Sequence, residues 1–263
     1  MKRLFVLSIA FCMFLTISAF AQDVAIFFDA ALPVVGLNDG PGFANLLVDN
    51  LKKKNIAAEI FDSNDSNGVA DYMKANPKGI MLVSQGIFPG TIFANKGKDD
   101  LIYTWLRGGG IGGFVGDYPF YYWDNTNNVA ADGGQQKIFG VNVTNANVVN
   151  VIPTELGKKY MPSLKEWTSN RPVGLAVLQN NGFVYESYAD DKSNSDPVAY
   201  QTKDMKGWFI NFHTSCCGTN CPANDQMAKE YAELISNRFI DKSKLAVKPL
   251  DKLSMTWGSI KTW

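Results

Sequence analysis

Between residues 23 and 116 the chain alternates short apolar runs with segments of helical periodicity, and this alternation restricts the fold more than any other feature. Asp23 to Phe28 reads as a buried strand. A loop rich in Gly, Pro and Asn follows over residues 33–42. Phe43, Leu46, Leu47, Asn50 and Leu51 then recur at helical spacing, and Lys52 to Lys54 suit a helix C-terminus. Ala57 to Phe61 is a second strand, Val69 to Met73 a short helix stopped by Asn76-Pro77, and Gly79 to Ser84 a third strand. Asp99 to Leu106 presents Leu101, Ile102, Trp105 and Leu106 on one helical face, and Ile111 to Val115 is a fourth strand. Strands that alternate with helices pair in parallel, and their sheet is covered on both faces. The expected class is therefore α/β, a doubly wound, mostly parallel sheet.

The second half is less regular. Strands are expected at Asn147 to Ile152, Val173 to Leu178, Phe183 to Tyr188, Val198 to Thr202 and Trp208 to Phe212. A hairpin around Asn180-Asn181-Gly182 would join two of them. Helices are expected at Glu155 to Trp167 and Ala223 to Phe239, and residues 189–197 (ADDKSNSDP) read as a solvated loop.

The N-terminus reads as an export signal. Lys2 and Arg3 precede an apolar stretch from Leu4 to Ile17, and Ala19-Phe20-Ala21 supplies a cleavage site. The stretch is shorter than the roughly 20 residues a spanning helix needs. The expected domains are a signal peptide over residues 1–21, an α/β domain over 22–243 and a docked tail over 244–263. The tail carries Leu250, Leu253, Met255, Trp257 and Ile260, too apolar for a free end. The product would be secreted or periplasmic, with no membrane association after cleavage. The whole chain has 25 basic and 25 acidic residues. Loss of Lys2 and Arg3 leaves 23 against 25, a net charge of −2. A near-neutral chain without basic blocks excludes a nucleic-acid partner.

The stretch GGGIGGFVGDYPFYYW (residues 108–123) sets glycines beside rings. Gly108, Gly110 and Gly113 fit G-x-G-x-x-G, but here they follow a helix and open a strand, the reverse of a dinucleotide site. They read instead as a helix C-cap at Gly108 and a tight strand entry. No cofactor is expected. The strand delivers Asp117, Tyr118, Phe120, Tyr121, Tyr122 and Trp123 to the carboxyl edge of the sheet, where open parallel sheets bind ligands. An acid with aromatic platforms suits a carbohydrate; the same rings are also good core material.

LRGGGIGGFVGDYPF (residues 106–120) resembles the R-x-G-G-G-F-V-G stretch of ThuA-like proteins within the class I glutamine amidotransferase-like superfamily. LVSQGIFPG (82–90) and GWFINFHTS (207–215) resemble their glycine-containing loop after the third strand and their late strand ending in His. The resemblance implies a flavodoxin-like sheet with a site at the strand carboxyl ends. Amidotransferases need a Cys nucleophile at the elbow, a His and an acid two residues on. Residues 116–119 read Gly-Asp-Tyr-Pro, and His213 is followed by Thr214 and Ser215. Glutamine hydrolysis is therefore not expected. ThuA-like members also lack the nucleophile and are associated with sugar metabolism.

Asp117 and His213 are the candidate catalytic pair, and Gln85, Tyr118 and Tyr121 the candidate ligand-binding residues. The expected partner is a small polar ligand such as a carbohydrate; a hydrolase or isomerase using Asp117 and His213 is the alternative. His213, Cys216, Cys217 and Cys221 form H-x-x-C-C-x-x-x-C. In an oxidising compartment one local disulfide is expected, Cys217 with Cys221 or Cys216 with Cys221. A metal site or a reactive thiol beside His213 are the other readings. Asn64-Asp65-Ser66 and Asn142-Val143-Thr144 are glycosylation sequons.

Overall fold

A computed structural model describes residues 23–37, 40–62, 68–130, 133–214 and 222–240. The expected signal peptide, the expected docked tail, Asn64 and the three cysteines of residues 216–221 lie outside them. The first half follows the expected alternation: β1 (Val24–Phe27), α1 (Gly40–Lys53), β2 (Ala58–Phe61), α2 (Gly68–Ala75), β3 (Ile80–Val83), α3 (Leu101–Gly108) and β4 (Ile111–Phe114). A hairpin of β5 (Tyr122–Trp123) and β6 (Asn125–Val129) follows, then α4 (Gly134–Phe139), β7 (Val149–Pro153), α5 (Glu155–Tyr160), β8 (Trp167–Ser169), β9 (Val173–Gly174) and α6 (Leu175–Asn180). The chain continues through β10 (Val184–Ser187), β11 (Ala189–Asp190), β12 (Asn194–Ser195), β13 (Val198–Gln201), β14 (Trp208–Asn211) and α7 (Asn224–Leu234), which runs on into a π-helical turn over Ile235–Phe239.

Seven strands form the main sheet in the order β10-β13-β14-β4-β3-β1-β2. The five from β14 to β2 are parallel, while β13 and β10 add an antiparallel edge. One apolar core lies between the sheet and α2, α3 and α4; it includes Phe27, Val83, Ile102, Leu106, Phe114 and Ile138. The other lies beneath α1 and α7 and includes Val24, Leu47, Leu82, Ile210 and Tyr231. The strands β1 and β3 are buried along their whole length, as their uninterrupted apolar sequences require.

The glycine run does its work in packing. The helix α3 buries Ile102, Trp105 and Leu106 and stops at Gly109, whose φ of 118° is left-handed. Its terminus is thus one residue beyond the expected cap, because Gly109 rather than Gly108 takes the conformation that L side chains avoid. Gly113 pairs with Leu82 on one side and Ile210 on the other. A Cβ there would stand 1.8 Å from Tyr231 Oη and 2.5 Å from Leu82 Cδ2. The small residue lets α7 lie close against the sheet.

Three expectations in the second half need correction. The helix from Glu155 ends at Tyr160, and Trp167 lies in strand β8. Leu175 to Asn180 is helical rather than extended, so no hairpin forms at Asn180-Asn181-Gly182; β10 pairs with β13 instead. Residues 189–197 are not a solvated loop throughout. β11 and β12 join a second sheet, ordered β8-β7-β11-β12-β9, and Ser195 and Asp196 are fully buried. Burial of Asp196 is tolerable because its Oδ2 accepts bonds from Ser169 Oγ, Thr214 N and Thr214 Oγ1.

Candidate functional site

The carboxyl end of β4 opens into residues 115–121, and here the rings divide by role. Phe120 is fully buried, with its centroid 4.4 Å from that of Phe88 in a stacked pair and 5.0 to 5.4 Å from those of Phe93, Phe139 and Phe209. Its φ is 62°, in the left-handed region. Tyr118 and Tyr121 remain partly exposed, with ring centroids 6.0 Å apart at 44°.

These two tyrosines, with Pro119 and Phe120, form one wall of a pocket of about 270 Å³. Gly133, Gly134 and Gln135 line it from the start of α4, and Asn142 and Thr144 from the loop after that helix. The opposite wall is braced by Gln135. Its Oε1 accepts the Val143 and Thr144 N–H groups, and its Nε2 donates to Thr144 Oγ1 at 2.6 Å. Thr144 Oγ1 therefore acts as an acceptor toward Gln135, and its own hydrogen remains available to a ligand. Among the described residues, no side chain that lines it is charged.

Asp117 stands beside this pocket rather than in its lining. Its Oδ1 accepts from Arg171 Nε at 2.9 Å, and both side chains are partly exposed, 19% and 28%. The Arg171 guanidinium also lies over the Tyr118 ring, 4.6 Å from the centroid. Tyr122 is close enough to feel these neighbours: burial first, then Tyr121 and Asp117, raise its hydroxyl above the ordinary tyrosine value.

His213 lies two residues beyond the end of β14, fully buried, with a φ of 47°. Its ring meets those of Trp167 and Phe212 edge-on, each at 4.4 Å. Nε2 lies 2.7 Å from Glu230 Oε2, while Nδ1 is buried without a hydrogen-bond partner among the described residues. Glu230 comes from α7 and also accepts from Gln226 Nε2. The carboxylate that meets His213 thus comes from a residue seventeen positions on in the chain. Burial raises the Asp196 carboxyl above the usual carboxylate value, against the opposing influence of His213, Thr214 and Ser169. Asp196 Oδ1, like His213 Nδ1, has no partner among the described residues.

Gln85 has a different task. Fully buried at the end of β3, it accepts the Asp29 N–H and donates to the Asp29 and Pro33 carbonyls. It ties down the loop after β1. The structure therefore places Tyr118 and Tyr121 together in the pocket, with Asp117 adjoining them. Gln85 and His213 are absent from the lining.

No family model matches this chain, and no curated protein does. Among the solved structures similar to it at low level are the following two. A cytoplasmic protein from Salmonella typhimurium LT2 aligns at 13% identity and a TM-score of 0.47, over 81% of this chain and 97% of that one. An exo-beta-1,4-mannosidase from Opitutaceae bacterium strain TAV5 aligns at 10% identity and a TM-score of 0.39, over 91% of this chain. This chain spans 36% of the mannosidase. Both scores are too low to define a shared fold.

Sequence reasoning missed Gln135, Arg171, Asp196 and Glu230. Glu230 did leave a signal. It falls between Met227 and Tyr231 on the buried face of α7, where a charged residue needs a partner. Arg171 and Gln135 sit in polar surroundings and left none.

Proposed function

We propose that this chain is an exported, non-amidotransferase member of the class I amidotransferase-like fold that binds a small polar ligand, a carbohydrate, at the strand carboxyl ends. The parallel order β2-β1-β3-β4-β14 supports a flavodoxin-like assignment. The pocket is the observation that carries the ligand reading. It joins two tyrosine faces to an amide and a hydroxyl, Asn142 and Thr144, in a volume suited to a single ring. Rings stack on the apolar face of a pyranose, while the amide and hydroxyl can meet its hydroxyl groups. Calorimetric titration with a panel of monosaccharides tests this. Tyr118→Ala and Tyr121→Ala should each weaken binding about tenfold or more while the protein stays folded. Unaltered affinity in both variants would remove the pocket from consideration.

The His213–Glu230 pair favours a second reading, an acid–base enzyme of the hydrolase or isomerase type with Asp117 as the other candidate group. Turnover of a sugar by wild-type protein, with a rate that titrates with pH, would favour it over simple binding. Neither reading includes ammonia release from glutamine, since the elbow offers Asp117 where a thiolate is needed.

A further inference from the structure

Asp117 and Arg171 adjoin the pocket without lining it, and each cancels the charge of the other. The guanidinium is held by the Asp117 carboxylate at Nε, by the Asn170 carbonyl at Nη1 and by the Tyr118 ring face. Tyr118 itself lines the pocket, so any charge left on Arg171 would stand against a lining residue. We propose that the Asp117–Arg171 pair is the specificity device of this site: it makes the pocket select uncharged ligands over their acidic counterparts. The proposal rests on the pocket being the ligand site.

The physical case is one of balance. The described lining residues carry no charge and give a carboxylate or phosphate no ionic partner to offset its lost hydration. Arg171, in contact with the Tyr118 ring, is a cation that could provide that partner, but Asp117 occupies it and would repel a second anion. Loss of the Asp117 charge alone should turn Arg171 into an anion-binding group beside the pocket, since a guanidinium recognises carboxylates and phosphates through several parallel hydrogen bonds. Both side chains are partly open to solvent, which screens the effect and limits it to a moderate change in selectivity.

The test is calorimetric titration of wild type, Asp117→Asn, Arg171→Met and the double variant with glucose, galactose and mannose, each beside its uronic acid, at low and high salt. Wild type should bind at least one neutral sugar about tenfold or more tighter than its acid. In Asp117→Asn the acid should gain about tenfold, the gain should shrink at high salt, and the double variant should lose it. Should Asp117→Asn fail to fold, Arg171→Met carries the test alone: it leaves Asp117 uncompensated, so the acid should bind more weakly still while the neutral sugar keeps more of its affinity. Equal affinity of wild type for sugar and acid, or a selectivity ratio that neither single variant changes, overturns the proposal and leaves the ligand site standing. A folded wild type that binds none of the six overturns the ligand reading and this inference with it.

Discussion

His213 is the one histidine in the chain, and its neighbours determine which of its nitrogens is bare. Glu230 Oε2 faces Nε2 and its Oε1 accepts from Gln226; an ionised Glu230 would meet the imidazole as an acceptor and hold the ring hydrogen on Nε2. Nδ1 would then be the unprotonated nitrogen, in a ring held edge-on between Trp167 and Phe212. A positive φ at a non-glycine residue costs about 1–3 kcal/mol and survives only where the surroundings hold it. Because no second histidine overlaps, nitrogen NMR of labelled protein reads this tautomer directly. Neutral His213 should show a protonated Nε2 and a bare Nδ1, and Glu230→Gln should blur that preference. A protonated Nδ1 in wild type would mean that the Glu230 contact does not orient the ring.

At the scale of elements, β4 and the loop that follows it combine two kinds of constraint. Gly112, Gly113 and Phe114 are buried in the middle of the sheet, and Gly113 admits α7 by having no side chain. Tyr231 cannot simply move aside, since its ring is stacked on Phe212 with centroids 4.1 Å apart. Gly113→Val should therefore cost about 1–3 kcal/mol or more of stability through overpacking. Urea unfolding would measure the loss, and an unchanged midpoint would show that α7 does not depend on this contact. Four residues after Gly116, Phe120 anchors the loop in the core, while Tyr118 and Tyr121 on either side stay at the pocket. A single segment thus supplies both the anchor and the binding surface.

For the whole molecule, two carboxylates make opposite contributions to stability against pH. Burial alone would raise Glu186, but hydrogen bonds from Arg238 and Tyr188 outweigh it and hold the carboxyl below its ordinary value. Its contribution is present above the unfolded value and is lost as pH falls through the lowered folded one. Asp196 is the reverse case. Burial holds its carboxyl above the ordinary value, so its contribution is complete below the unfolded value of about 4 and is lost as pH rises through the folded one. Asp196→Asn keeps an acceptor for Ser169 and Thr214 and cannot ionise. It should gain stability relative to wild type as pH rises from about 4 to 7. Unfolding curves at several pH values check this, and a constant difference between the two proteins would show that Asp196 does not titrate in that range.

What the sequence by itself determined is the α/β class, the strand–helix order through Phe114 and the delivery of Tyr118 and Tyr121 to a sheet edge. These follow from local patterns: apolar runs four to six residues long, helical spacing such as Ile102, Trp105 and Leu106, and glycines where side chains would not fit. Val173 to Leu178 misled, since a short apolar run reads alike as strand or buried helix, and only the pairing of β10 with β13 decided between them. The tertiary structure alone decided which charges meet. Asp117 finds Arg171 54 residues away and His213 finds Glu230 on a later helix, while Asp196 is buried by Ser169 and Thr214. Such partners are brought together by the packing of the sheet, its helices and the second sheet, so no periodicity along the chain records them. The same packing separates Gln85, a strut beneath the first loop, from the tyrosines with which it shares only an edge of the sheet.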